Sequence, residues 1–122
     1  MFANTKAFSG FSVNDIEAAK RFYGDTLGIQ VSEENGMLTL HIAGDRPILV
    51  YPKADHTPAT YTILNFPVED IEKAVDELTA QGVTFQRYEA MPADDKGIMR
   101  AGGPLIAWFT DPAGNVLSVL QQ

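Results

Sequence analysis

Hydrophobic and polar positions change their spacing twice along the chain, in the same way each time. Alternating apolar residues around Phe11 and Val13 predict a strand, and the apolar residues that follow at spacings of three and four predict a helix. The same change recurs 55 positions later, where residues 66–74 (FPVEDIEKA) share six of nine positions with residues 11–19 (FSVNDIEAA). The repeat predicts two similar modules, each of which begins with a strand and a helix.

Both predicted helices carry start and stop signals. In the first helix Asn14 is a suitable N-cap with Glu17 three residues later, and Gly28 lies where the helix should end. In the second helix the apolar residues at 71, 74, 75 and 78 form one stripe, and Gly82 is placed to adopt a left-handed terminating conformation. The two helices therefore match in position and in form.

Strand-like segments separated by turns follow each helix. They lie at 29–32, 37–42 and 48–51, and again at 83–88, 105–110 and 116–120, with turn sequences at 35–36, 44–45 and 111–114. Each module is thus predicted as βαβββ, the first over about 1–53 and the second over about 60–122 of a single domain, 1–122. The segment 89–104 is long and irregular, which is typical of a functional or mobile loop, and partial strand structure is the alternative.

The complete arrangement resembles a known superfamily. Two βαβββ modules, the pattern FxVxDIExAxxFYxxxLG at 11–28 and the closing FTDPAGNVLSV at 109–119 are similar to the vicinal oxygen chelate superfamily, which includes glyoxalase I, extradiol dioxygenases, fosfomycin resistance enzymes and bleomycin resistance proteins. The resemblance implies an α+β fold in which the modules form a curled mixed sheet, a half-barrel around a cavity, with the helices on its outer face. It also implies a homodimer.

The resemblance further implies four positions for metal ligands, which are commonly His and Glu in this superfamily. In this sequence those positions hold Phe8, a residue near Leu49, Ile63 and Ser118. A one-residue slip at the second position still leaves an apolar residue there. Transition metals need imidazole, thiolate or carboxylate donors, so we expect no metal and no cofactor.

Two histidines remain as candidates for other chemistry. His41 and His56 are 15 residues apart, a spacing that matches no short ligand motif. We interpret His56 as a solvated residue of the link between the modules. His41 lies on a predicted strand and is the one candidate general base, although a lone histidine there is more often a structural hydrogen-bonding residue.

Strand alternation divides the side chains into two faces and identifies candidate ligand contacts. Large apolar residues such as Phe109 suit the helix-covered face, so their neighbours along each strand should line the concave face. We expect this face to bind a small molecule, with Trp108 as its stacking surface. Packing of Trp108 in the core or in a dimer interface accounts for this residue equally well. The other candidate contacts are Phe8, His41, Leu49, Tyr51, Asn65, Thr110 and Ser118.

Composition excludes several classes of partner. The 122 residues carry 16 acidic and 9 basic side chains, a net charge of −7, which disfavours nucleic acid binding. The longest apolar run, 105–109, is too short to cross a membrane, and the N-terminal residues lack a signal-peptide pattern. With no cysteine, nothing requires an oxidising compartment. We therefore predict a cytoplasmic protein with neither nucleic acid nor membrane as partner.

Three functional hypotheses follow from the residues and the resemblance. The first is a metal-free, dimeric binding protein of the glyoxalase and bleomycin resistance type, which sequesters a small aromatic or cationic molecule. The second is an enzyme of the same superfamily, a lyase, isomerase or dioxygenase that uses non-standard metal ligands or His41 as a general base. The third is a purely interaction-based role with the cavity filled by side chains. Ser12 and Ser118 have no obvious neighbouring base, and no nucleophile elbow or phosphate loop occurs.

Overall fold

A computed structural model describes residues 1–122. The chain forms two compact units, Met1–Thr57 and Pro58–Gln122, and each unit contains its own sheet and helix. The predicted α+β class is confirmed. Neither helix has the length and apolar character that crossing a membrane would require.

The first unit contains a four-stranded sheet. Its elements are β1 (Gly10–Val13), α1 (Ile16–Arg21) with a π-helical turn (Phe22–Thr26), β2 (Gln30–Glu34), β3 (Met37–His41) and β4 (Ile48–Pro52). The strand order is β1-β4-β3-β2, with β1 parallel to β4 and the other neighbours antiparallel. Asn35 and Gly36 both adopt positive φ, as a tight hairpin between β2 and β3 requires.

The first helix begins one residue later than predicted. The N-cap is Asp15, whose carboxylate accepts a hydrogen bond from the Ala18 N–H at 3.1 Å, so the prediction of Asn14 was wrong. In the second unit Asp70 caps its helix in the same way, through the Lys73 N–H. Both Asn and Asp are good N-caps, but only the aspartate occurs in both copies of the repeat. Comparison of the two copies therefore favours Asp15 over Asn14 as the N-cap.

The second unit contains a three-stranded sheet. Its elements are β5 (Thr62–Pro67), α2 (Ile71–Ala80), β6 (Leu105–Thr110) and β7 (Val116–Gln121), with strand order β5-β7-β6. The prediction of a strand over 83–88 was wrong, because this segment pairs with β6 only through the isolated bridge between Phe85 and Phe109. The chain then leaves β6, since Tyr88 pairs with Met91 and the guanidinium of Arg87 binds carbonyl oxygens of the following loop.

Buried side chains define two faces on each sheet. In both units the strand residues packed beneath the helix are almost inaccessible, and they occur at alternate positions; they are Val13, Leu38, Leu40, Ile48, Val50, Ala107, Phe109, Leu117 and Val119. The helices contribute buried residues such as Ala19, Ile71 and Val75 to the same cores. The intervening strand residues point away from the helix, and we call the surface that they form the distal face of each sheet.

Candidate ligand-binding site

The predicted contact residues fall in both units. Seven of them lie on strands and are placed on a distal face, either by alternation with buried core residues or, for Asn65, by its register opposite Ser118. They are His41, Leu49 and Tyr51 in the first unit, and Asn65, Trp108, Thr110 and Ser118 in the second. The eighth, Phe8, precedes β1 and has 63% of its surface exposed. The predicted parity of these strands therefore agrees with the structure, while ligand binding stays a prediction.

Three of these residues form one row across the second sheet. In the strand register Ser118 lies opposite Asn65 on one side and opposite Trp108 on the other. Ser118 is completely buried, and its hydroxyl donates to Oδ1 of Asn65 at 2.5 Å. The row therefore joins an exposed amide, a buried hydroxyl and a half-buried indole on a single face.

Thr62 is a site residue that the sequence analysis missed. The β5–β7 register shifts between Thr62 and Leu64, so that Thr62 lies opposite Val116 while Asn65 lies opposite Ser118. The shift brings Thr62 and Asn65 to the same face although they are three residues apart, which regular alternation does not allow. The Thr62 hydroxyl then accepts a hydrogen bond from Nε1 of Trp108 at 3.0 Å. No local sequence signal marks such an irregularity.

A second contact holds the indole ring of Trp108 from Tyr88, the last residue of the 83–88 segment. The Tyr88 ring meets it edge to face, with ring centroids 5.7 Å apart and an angle of 82° between the planes. Aromatic pairs favour this geometry because the positive edge of one ring faces the negative surface of the other. Trp108 is thus oriented by Thr62 and Tyr88, and remains half-buried rather than packed into the helix-covered core.

The corresponding row in the first unit has different chemistry. Leu49 lies opposite Gly10 on β1 and opposite Thr39 on β3, which is the same arrangement as Asn65, Ser118 and Trp108 in the second unit. A Cβ atom placed on Gly10 would come within 3.2 Å of the Leu49 carbonyl oxygen. This register also makes Leu49 the counterpart of Ser118, and so resolves the one-residue uncertainty in the sequence comparison.

Both histidines are bonded to serine hydroxyls in the first unit. Nε2 of His41 lies 2.5 Å from Oγ of Ser32, and Nδ1 of His56 lies 2.6 Å from Oγ of Ser12. The interpretation of His56 as a merely solvated residue was therefore wrong, and Ser12 does have a neighbouring base. Because residues 12 and 56 are far apart in the chain, only the packing of the 53–57 segment against β1 reveals this pair.

The four family ligand positions do not fit a transition metal. Three of them hold the hydrocarbon side chains of Phe8, Leu49 and Ile63, and the hydroxyl at the fourth, Ser118, is hydrogen-bonded to Asn65. Nowhere in the structure do three or more His, Cys, Asp or Glu side chains form a group that could hold a metal ion. The expectation that the protein works without a metal stays a prediction.

The long segment 89–104 is organised by Asp94. Its Oδ1 accepts the N–H groups of Lys96 and Ile98 at 2.9 Å, and its Oδ2 accepts Nε of Arg100 at 2.8 Å. Desolvation raises the pKa of this carboxyl, but the hydrogen bonds from Ile98, Arg100 and Lys96 outweigh it, so that the pKa lies below its ordinary value. Asp94 is thus committed to shaping the loop, which disfavours a role as general base.

Two ion pairs connect this loop to α2. Nζ of Lys96 lies 2.6 Å from Oδ1 of Asp76, and Arg100 approaches Glu72 at 3.4 Å. Between α2, residues 83–87 and the loop is a cleft of about 370 Å³. Its lining residues are Val75, Asp76, Thr79, Val83, Thr84, Phe85, Arg87, Asp95 and Lys96. None of the predicted ligand contacts lines this cleft.

Comparison with known proteins gives matches to one family. A family model for the Glyoxalase/Bleomycin resistance protein/Dioxygenase superfamily matches residues 8–119. A structure of a glyoxalase family protein from Enterococcus faecalis has a TM-score of 0.72 and 24% identity, covering 98% of this chain and 99% of that chain. A superfamily member from Sphaerobacter thermophilus has a TM-score of 0.72 and 26% identity, with 95% and 96% covered.

A more distant structural neighbour is a resistance protein. The fosfomycin resistance protein FosX from Mesorhizobium loti has a TM-score of 0.68 at 12% identity, covering 100% of this chain and 94% of that chain. At such low identity the likeness concerns the fold alone. A search of curated protein sequences found no significant match.

Proposed function

Because the chain belongs to the glyoxalase/bleomycin resistance protein/dioxygenase superfamily, we propose that it is a metal-independent binding protein that sequesters a small aromatic or cationic molecule. The observation that carries the proposal is the side-chain set at the family ligand positions. Phe8, Leu49 and Ile63 offer no donor atom, and the Ser118 hydroxyl is occupied by Asn65. A site built this way lacks the imidazole and carboxylate groups on which metal-dependent chemistry relies.

The distal face of the second sheet supports binding in place of metal chemistry. Trp108 presents a flat, polarisable surface whose orientation is held by Thr62 and Tyr88. An aromatic contact contributes about 0.5–1.5 kcal/mol beyond the area that it buries, and a cation over the ring contributes about 0.5–2 kcal/mol. The net charge of −7 assists a cation only modestly, since salt screens it.

Elemental analysis tests the metal-independent part of the proposal. Protein purified without chelator should contain far less than one equivalent of zinc, iron, manganese or nickel per chain. Its thermal midpoint should not change when EDTA is added. A stoichiometric metal whose removal lowers the midpoint would contradict the proposal, because donors other than the four family positions would then be holding it.

A ligand screen tests the binding part. A molecule that binds only the folded state raises the thermal midpoint, and the increase grows with the concentration and affinity of the molecule. Trp108 is the only tryptophan, so its fluorescence should change with each true ligand. Calorimetry should show that Trp108→Ala weakens binding at least about tenfold, whereas Trp108→Phe, which keeps an aromatic surface, weakens it less. Equal affinity of the wild type and both variants would place the ligand elsewhere.

We further propose that the protein acts as a homodimer. β2 lies at the edge of the first sheet and its residues are mostly exposed, which leaves backbone groups open to pairing. Symmetric association is the common way in which such edges and apolar rims are covered. Sedimentation at micromolar concentration should give about twice the chain mass of 13.3 kDa; a single-chain mass would refute the dimer.

An enzyme of the same superfamily is the second candidate function. The two serine–histidine hydrogen bonds favour it, since an imidazole that is hydrogen-bonded to a hydroxyl can act as the base that activates this hydroxyl as a nucleophile. In this function His41 would act as general base, or His56 would activate Ser12. In that case a serine-directed fluorophosphonate should label Ser12 in the wild type and should not label it in His56→Ala. Absence of labelling in the wild type would favour the binding protein.

A further inference from the structure

Asn65 presents a hydrogen-bond donor to the distal face, and a buried partner sets its direction. The Asn65 side chain is exposed, while the Ser118 hydroxyl that donates to its Oδ1 is fully buried. An asparagine amide has one acceptor oxygen and two N–H donors. Oδ1 is engaged by Ser118, whereas the Nδ2 amide has no partner within the protein and can donate to a ligand.

We propose that Asn65 and Trp108 together recognise an aromatic ring that bears a neutral hydrogen-bond acceptor, such as a ring carbonyl or a carboxamide. The inference rests on the proposed binding function and narrows its ligand class. Both residues flank Ser118 in one register row. Nε1 of Trp108 reaches Thr62 on β5, the strand that also carries Asn65, so the indole extends across the face towards the amide. This arrangement suits a ligand with its acceptor on the edge of a ring that lies against the indole.

Charge decides between the possible acceptor ligands. The Nδ2 amide is the positive end of a dipole, so a cation placed against it is disfavoured. A carboxylate would accept the hydrogen bond, but Asn65 is neutral and the chain carries a net charge of −7, so an anion gains no ion pair and is repelled at long range. A neutral carbonyl accepts the hydrogen bond without either penalty.

The first unit supplies an internal control for this assignment. Its equivalent row consists of Gly10, Leu49 and Thr39, so it contains neither an amide donor nor an aromatic ring. The recognition that we assign is therefore a property of the second sheet alone. Substitution of Thr39, the counterpart of Trp108, should leave binding unchanged.

Two probes with the same ring system test the proposal. Binding of 2-naphthamide and of 2-naphthylmethylammonium is measured by NMR titration of the Trp108 indole N–H signal, on wild type, Asn65→Asp, Asn65→Leu and Thr39→Val. Asn65→Asp keeps an acceptor for the Ser118 hydroxyl and removes the donor. We expect naphthamide to bind wild type more tightly than the ammonium probe. Asn65→Asp and Asn65→Leu should weaken naphthamide binding about three- to tenfold, and Thr39→Val should have no effect.

Other outcomes separate this inference from the proposed function. If naphthamide binds equally to wild type and to both Asn65 variants, or if wild type prefers the ammonium probe, the donor role of Asn65 is wrong. Binding that still depends on Trp108 would then leave the proposed function intact. Failure of both probes at millimolar concentration would overturn the inference, and the broader ligand screen would decide the function. Unchanged thermal midpoints of the variants exclude misfolding as the cause of any loss.

Discussion

The two units share the arrangement of a first strand, a central strand and an antiparallel neighbour, but they differ in what pairs with the outer edge of that neighbour. In the first unit β2 pairs with β3 along a ladder of five residue pairs. In the second unit the equivalent segment makes the Phe85–Phe109 bridge and one hydrogen bond, from the Gln86 N–H to the Trp108 carbonyl at 2.7 Å. The same frame therefore tolerates either a complete edge strand or a short remnant of one.

The difference arises from an insertion whose length can be read from the two registers. Gly10 and Asn65 occupy equivalent places and lie 55 positions apart, whereas Thr39 and Trp108 lie 69 positions apart. The second unit thus has 14 more residues between its first strand and the strand of Trp108, and they form most of the 89–104 segment. In place of a ladder, that segment is held by the side chains of Asp94 and Arg100 and by an isolated backbone bridge between Met99 and Ile106 of β6.

The comparison also shows where ligand chemistry is concentrated. The central row of the first sheet is glycine, leucine and threonine, and that of the second sheet is asparagine, serine and tryptophan. Tyr88, which contacts Trp108, belongs to the segment that departs from the edge. The unit with the incomplete strand is therefore also the unit whose central row carries an aromatic ring and an amide.

The largest expected effect comes from removing the ring that holds the strand remnant. The ring centroids of Phe85 and Phe109 are 5.6 Å apart, and a Cβ atom placed on Gly97 would come within 3.0 Å of the Phe85 Cβ. Phe85→Ala should lower the free energy of unfolding by about 2–4 kcal/mol, since a large packed ring is lost. Denaturant titration measures this loss, and hydrogen exchange at the Gln86 N–H should become faster.

Val31 is the matched control for Phe85 in the first unit. It pairs with Leu40, as Phe85 pairs with Phe109, but a complete ladder surrounds it. Val31→Ala should lower the free energy of unfolding by only about 1 kcal/mol and leave exchange of the β2 amides slow. Equal losses and equal exchange in the two variants would show that the two edges are held in the same way.

The second effect tests the side-chain support of the insertion. Asp94→Ala removes acceptors for the N–H groups of Lys96 and Ile98 and for Arg100, so we expect a loss of about 1–3 kcal/mol in urea unfolding. Asp95→Ala is the adjacent control, because its exposed carboxylate supports no backbone turn, and its effect should stay within about 0.5 kcal/mol. Similar losses for both variants would mean that general loop charge, rather than the Asp94 geometry, matters.

Acid should reduce the stabilisation that the Asp94 carboxylate provides. Its folded-state pKa lies below the ordinary 3.8, so its contribution to stability is complete above that value and is lost as pH falls through the folded pKa. The difference in unfolding free energy between wild type and Asp94→Ala should therefore be constant from pH 6 to 5 and shrink below about pH 4. Urea titrations across this range measure it; a difference that does not shrink in acid would contradict the assignment.

The smallest effect concerns the orientation of Trp108. Thr62→Val keeps the side-chain shape but removes the acceptor of the indole N–H, so stability should change by no more than about 1 kcal/mol. The tryptophan emission should nevertheless shift, and ligand affinity should fall less than in Trp108→Ala. Thr39→Val in the first unit should leave the emission unchanged. An unaltered spectrum in Thr62→Val would show that the hydrogen bond does not orient the ring.

Much of the frame could be predicted from local patterns. Helix spacing at Ile71 and Val75, positive-φ turns such as Asn35-Gly36 and the apolar, turn-bounded segments of β6 and β7 depend on neighbours within a few residues, so the sequence alone identified them. The sequence repeat added the prediction that the two units begin with the same strand and helix. The family resemblance, confirmed by the family-model match, rested on the same local motifs.

Only the tertiary structure decided what pairs with the outer edge of β6 and which side chains complete the candidate site. The segment 83–88 has a strand-like composition, but side-chain bonds of Arg87 and Asp94 divert it from β6. The Ser12–His56 bond and the register shift that brings Thr62 to Trp108 likewise join groups far apart in the chain. Local preference acts over a few residues, whereas such contacts depend on which distant groups the packed sheets bring within hydrogen-bonding distance.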